Sequence, residues 1–94
     1  MRIRFWGTRG SLATPGPTTL RYGGNTSCVE ARANDGTLIV LDCGTGAHRL
    51  GHELTVPSTQ PVHGHLMITH THWDHIQGFP FFAPVFQAGD AWDL

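Results

Sequence analysis

Ninety-four residues suffice for one small domain or for part of a larger one. Hydrophobic residues make up 39% and charged residues 14%, which excludes an intrinsically disordered chain. All six cations are Arg against seven acidic residues, so a net charge of −1 supplies no basic surface, and nucleic acid is not expected as a partner of this segment.

The first element expected is a strand. Arg2-Ile3-Arg4-Phe5-Trp6 alternates polar with apolar residues and stops at Gly7, the pattern of a half-buried strand. Gly7 to Ser11 forms a short loop carrying Arg9. Residues 12–25, with Pro15, Gly16, Pro17, Gly23 and Gly24, form a long irregular connection. Such connections often wall a pocket, so this loop and Arg9 are candidates for contacting a substrate phosphate. A second strand is expected over Thr26–Ala33, a tight hairpin at Asn34-Asp35-Gly36, and a buried strand over Thr37–Leu41.

That strand runs into Asp42-Cys43-Gly44-Thr45-Gly46. A carboxylate at the mouth of an apolar strand either caps the following helix and binds turn N–H groups, or orients a metal-bound imidazole. Both readings stand at this point. Ala47–Leu54 is a short helix with Leu50 and Leu54 on one face. His48 and His52, four apart, have no acidic or cysteine companion at ligand spacing and belong to its exposed side. After the Pro-bounded loop 55–61, His63 and His65 lie at a surface strand end, and Leu66–Thr69 forms a further buried strand. Ile76–Phe86, with four Phe and two Pro, is a broken helix with a heavy apolar face. Gln87–Asp90 is a turn, and Ala91–Leu94 begins another strand.

Cys28 and Cys43 lie in or beside apolar runs, as reduced, buried thiols do. The amino terminus lacks the arrangement of a signal peptide, and no apolar run approaches the ~20 residues of a membrane span. The cytoplasm is therefore the expected compartment.

The chemistry is concentrated in His70-Thr71-His72-Trp73-Asp74-His75, three imidazoles and a carboxylate within six residues after a strand. His70 and His72, two apart in an extended segment, point the same way and can reach one ion. Asp74 and His75, at the turn into the next helix, face a second position close by. Imidazole with carboxylate suits Zn²⁺, with Mn²⁺ or Fe as competitors. Two ions roughly 3.5–4 Å apart can share and activate one hydroxide for attack at a phosphoryl or acyl centre.

These residues carry a family resemblance. His70-x-His72-x-Asp74-His75 resembles the signature of the metallo-β-lactamase fold, and Leu38-Ile39-Val40-Leu41-Asp42-x-Gly44 resembles that family's first motif. Arg2–Ser11, Tyr22–Cys28 and Trp73–Phe79 are similar to its phosphodiesterase-like branch, which includes cyclic-phosphate phosphodiesterases and tRNA 3′-processing endonucleases. The resemblance implies an α/β fold, an αβ/βα sandwich of which residues 1–94 supply the first βα layer as the N-terminal part of an incomplete domain. It assigns His70 and His72 to a first zinc and Asp74 and His75 to a second. Asp74 also holds the attacking water, and Asp42 stands behind the ligands. The pattern calls for further ligands, and no His follows His75.

The function implied is metal-dependent hydrolysis of phosphodiesters, small cyclic or nucleotide phosphates, by a chain incomplete for catalysis alone. An acyl or thioester hydrolase of the same fold and a non-catalytic metal-binding fragment are the alternatives. The partner expected is a small-molecule phosphodiester. An unpaired edge would favour a homo-oligomer or a carboxyl-terminal half not contained in this sequence.

Overall fold

The computed structural model describes residues 1–55, 62–86 and 91–93. The loop expected at 56–61, the turn expected at 87–90 and Leu94 lie outside the described residues.

A five-stranded sheet in the order β1-β2-β3-β4-β5 organises the chain. Strands β1 (Arg2–Gly7), β2 (Cys28–Arg32) and β3 (Leu38–Leu41) are antiparallel neighbours. Strands β4 (His63–Met67) and β5 (Ala91–Asp93) continue the sheet in parallel. The expected hairpin joins β2 to β3. Gly36 adopts φ 91°, and the Thr37 N–H donates to Asp35 Oδ1 at 2.9 Å, an Asx turn that closes the corner.

Parallel neighbours need a crossover, and helices supply it. Helix α1 (Gly46–Thr55) links β3 to β4. Between β4 and β5 come α2 (Trp73–Ile76), a 3₁₀ turn at Phe79–Phe81 and α3 (Ala83–Phe86), a broken helical path as the sequence predicts, with Pro80 and Pro84 each in the first turn of its piece. The stripe Ala47, Leu50 and Leu54 on α1 packs with Cys28, Leu38, Val40, Leu66 and Phe82 into one core on a single face of the sheet. His48 and His52 are exposed, as expected. Both cysteines are buried and free, and burial pushes the Cys43 thiol up to about 12.

Two strands differ from expectation. In β1 the alternation is present, but Ile3 and Phe5 are 55% and 67% exposed. Trp6, with the exposed Arg2 and Arg4, lies on the helix face and packs against the core, where the buried Glu30 collects its partners. Trp6 Nε1–H donates to Glu30 Oε1 at 3.0 Å, and Arg32 Nε donates to Oε2 at 3.0 Å. Arg4 lies over the Trp6 ring at 4.2 Å. Strand β4 begins at His63, three residues before the expected Leu66, and ends at Met67; within it only Leu66 is buried, Met67 is 55% exposed, and Ile68 just beyond it is 41% exposed. The face opposite the helices therefore holds a row in register, Phe5, Val29, Leu41 and Met67, beside Ile3, Ala31 and Ile39.

No helix among the described residues is long and apolar enough to cross a membrane.

Candidate metal centre

The parallel pair β3 and β4 brings two loops to the same edge of the sheet. Beyond Leu41 comes Asp42; beyond Met67 come Thr69 and the His-rich stretch. Carboxyl ends of adjacent parallel strands are where α/β sheets present side chains to ligands.

Asp42 is the buried anchor of this edge, only 4% exposed. Its φ of 66° lies in the left-handed region, where Asp is tolerated better than most residues. This bend turns the carboxylate across the sheet. The Thr69 N–H donates to Asp42 Oδ1 at 2.7 Å and the Thr69 hydroxyl to Oδ2 at 2.6 Å. The His75 Nδ1 lies 2.8 Å from the same Oδ2. Burial alone would push this carboxyl up, but the Thr69 and His75 contacts outweigh it and hold it below the usual carboxylate range. No hydrogen bond from the Asp42 side chain to α1 is found among the described residues, so it is not the cap of that helix.

The three imidazoles cluster. His70 Nε2 and His72 Nδ1 share a hydrogen bond of 2.6 Å, and the His70 and His75 rings lie 5.3 Å apart, edge to face. His75 Nε2 is 3.5 Å from Asp74 Oδ2. Asp74 is held from a distant part of the chain, since the Ser11 N–H donates to its Oδ2 at 3.0 Å. Ser11 has φ 69°, strained for a residue with a Cβ, which aims its amide at the carboxylate. That bond, with the nearby His75 and His72, holds the Asp74 carboxyl low. No spacing rule links position 11 to position 74, so the sequence carried no signal for this contact.

Backbone contacts lock the cluster to the strand end. Cys43 N–H donates to the His75 carbonyl at 2.7 Å, and Gly78 N–H donates to the Cys43 carbonyl at 2.8 Å. This requires two bare glycines. A Cβ on Gly44 would lie 2.3 Å from the Asp74 carbonyl oxygen, and one on Gly78 would lie 1.9 Å from that of Gly44.

His70, His72, Asp74, His75 and Asp42 therefore meet at one edge. Among the described residues no group of three His, Cys, Asp or Glu side chains already encloses a metal-sized position. His70 and His72 are in direct contact, whereas two nitrogens on one tetrahedral zinc sit about 3.3 Å apart. Opening that pair by under about 1 Å is a rotamer-scale adjustment of exposed rings. The donor chemistry, three imidazoles and a carboxylate, is of the kind that suits a metal.

Arg9 lies nearby with the irregular loop. With Thr8, Gly10, Thr18, Thr19, Arg21, Tyr22 and Gly23 it lines a cleft of about 380 Å³. Its Nε donates to the Leu12 carbonyl at 2.8 Å.

Two curated relatives match the chain. Ribonuclease Z of Haloarcula marismortui and ribonuclease Z of Natronomonas pharaonis are each 38% identical to it over 80 residues, 85% of this chain. The chain spans 22% of the length of each. No family model matches, and no solved structure matches.

These relatives correct one expectation. Both are ribonucleases, so RNA is their substrate. That overturns the expectation of a small-molecule phosphodiester partner with nucleic acid unlikely. The error was to read the charge of one segment as that of a whole binding surface, when the segment matches only 22% of its relatives' length. Along most of its length this chain is similar to one stretch of ribonuclease Z, and its resemblance to the ribonuclease Z-like branch of the metallo-β-lactamase superfamily holds.

Proposed function

We propose that this chain carries half of the metal site of a hydrolase that cleaves phosphodiester bonds in RNA. The observation that carries the reading is the paired placement of His75 and Asp42. A buried, hydrogen-bonded carboxylate grips one ring nitrogen and leaves Nε2 facing His70, His72 and Asp74. A carboxylate–histidine pair of this kind fixes the tautomer and raises the basicity of the outward nitrogen, the arrangement metal-ligating histidines use.

In this reading His70 and His72 hold one zinc, and Asp74 and His75 hold a second; Mn²⁺ or Fe are competitors. Two such ions would lower the pKa of a water and steady charge on phosphoryl oxygens. Asp74, anchored by the Ser11 amide, keeps one oxygen placed to accept a proton from the attacking water. Asp42 holds His75 in orientation and stays ionised itself. A catalytic zinc commonly takes three protein ligands, so each ion needs donors beyond the two found here. In this reading Arg9, two residues before the Ser11 that holds Asp74, would meet a substrate phosphate.

The sheet fits the same reading. Its uncovered row, Phe5, Val29, Leu41 and Met67, is the inner face that a second sheet would cover in an αβ/βα sandwich. Residues 1–94 are then the first βα layer of that domain.

The test is cleavage of end-labelled RNA by the intact protein. The expected result is cleavage that stops with a chelator and falls at least about 100-fold in Asp74→Asn, as loss of a group that both holds metal and takes a proton predicts. Cleavage that persists in chelator, or an Asp74→Asn variant as fast as wild type, would contradict it.

A further inference from the structure

A second concavity, of about 450 Å³, lies on the other flank of the 42–45 turn, lined by Asn25, Thr45, His48, Gln77, Gly78 and Phe81. Its size is that of a small-molecule site, typically about 300–1,000 Å³. Two features of its lining are unexplained by the fold. Phe81 is 66% exposed, although Phe79 and Phe82 on either side pack into the core. Two carboxamides are each tethered by one end. Gln77 Nε2 donates to the Thr26 hydroxyl at 3.2 Å, and Asn25 Oδ1 accepts from the Thr45 hydroxyl at 3.3 Å. Gln77 Oε1 and Asn25 Nδ2, an acceptor and a donor, have no partner among the described residues. The exposed His48 ring adds a third polar group.

An exposed aromatic face beside an oriented donor and acceptor is the environment an unstacked nucleobase takes. Stacking on the ring accepts any base, and carboxamides match base edges. The concavity is also tied to the His cluster. Gln77 follows His75 by two residues, so their Cα atoms lie within about 7 Å. The Cys43 and Gly78 amides fix the concavity and the His cluster to one turn.

We propose that this concavity is a nucleobase subsite, holding one unpaired base of an RNA strand whose adjoining phosphodiester lies at the His cluster. The proposal rests on the reading of the chain as part of an RNA hydrolase. A nucleobase site predicts that affinity follows the base and not the backbone alone.

The experiment measures binding of the intact protein to adenosine and uridine RNA hexamers and to an abasic strand of equal length, with chelator present so that nothing is cut. Wild type, Phe81→Ala and Phe81→Trp are compared by fluorescence anisotropy. Phe81 is exposed, so neither substitution threatens the core. Wild type is expected to prefer the base-bearing strands at least about tenfold, Phe81→Ala to lose that preference, and Phe81→Trp to keep it. Equal binding of both strands by wild type, a preference surviving in Phe81→Ala, or one lost equally in Phe81→Trp would overturn the subsite and leave the RNA hydrolase reading standing. Wild type binding none of the strands would overturn both.

Discussion

Replacing Asp42 with Ala is expected to destabilise the protein by about 3 kcal/mol and to abolish metal-dependent activity. Three groups converge on this carboxylate: the Thr69 amide, the Thr69 hydroxyl and the His75 ring. Removing it leaves the Thr69 amide and hydroxyl and the half-buried His75 ring without this acceptor and places Ala at φ 66°, which disfavours a Cβ. Asp42→Asn separates the two effects. Asn tolerates the left-handed conformation and can still accept from Thr69, so most of the stability should survive. Its charge is gone, and metal affinity or activity should fall about 10–100-fold, the usual cost of losing a carboxylate behind a ligating histidine. Urea denaturation and metal titration of both variants check this. An Asp42→Asn variant with unchanged metal affinity would show that the carboxylate serves the fold alone. The pH dependence has a definite sign. The folded carboxyl is held low, so its stabilisation is complete above the ordinary carboxylate pKa of about 4 and fades as pH falls through the lower folded value.

Gly78→Ala should be among the most damaging changes of a residue without functional groups. The added methyl would lie 1.9 Å from the Gly44 carbonyl oxygen, and backbone, unlike a side-chain end, cannot rotate away. Overpacking of this kind costs about 3 kcal/mol and sometimes more. The Gly78–Cys43 hydrogen bond lies at the same contact, so relief must come from moving the end of α2 away from the strand mouth, carrying Asp74 and His75 with it. Denaturant unfolding should show the loss, and metal binding should fall in parallel. Gly10→Ala is the control, because a Cβ there meets nothing within 4 Å. Equal stability of Gly78→Ala and Gly10→Ala would contradict the packing account.

The parts of this structure that were legible in the sequence are those whose cause is local. Alternation and apolar runs located four of the strands, whereas β4 begins three residues before its apolar run; Asn34-Asp35-Gly36 located a hairpin, and the 3.6-residue spacing of Leu50 and Leu54 oriented α1. The His cluster was legible because its members lie within six residues of one another. What was not legible depends on contacts distant in sequence. The covered face of β1 is set by the buried Glu30 across the sheet, so alternation alone pointed Ile3 and Phe5 the wrong way. Asp42 could have capped a helix until the fold placed it against Thr69 and His75. The Ser11 amide reaches Asp74 across 63 residues through a strained backbone that no periodicity announces. The expected partner was drawn from charge, a property that one segment does not report for a whole protein.

The central claim is that His70, His72, Asp74 and His75 hold metal. Elemental analysis of the intact protein and of its His72→Ala variant tests it most directly. His72 is exposed, so the variant should fold. The account predicts about two ions per wild-type protein, as a two-metal site requires, and a clear loss of metal in the variant. Equal metal content in the two proteins would contradict it, because the ions would then be held by something other than this cluster.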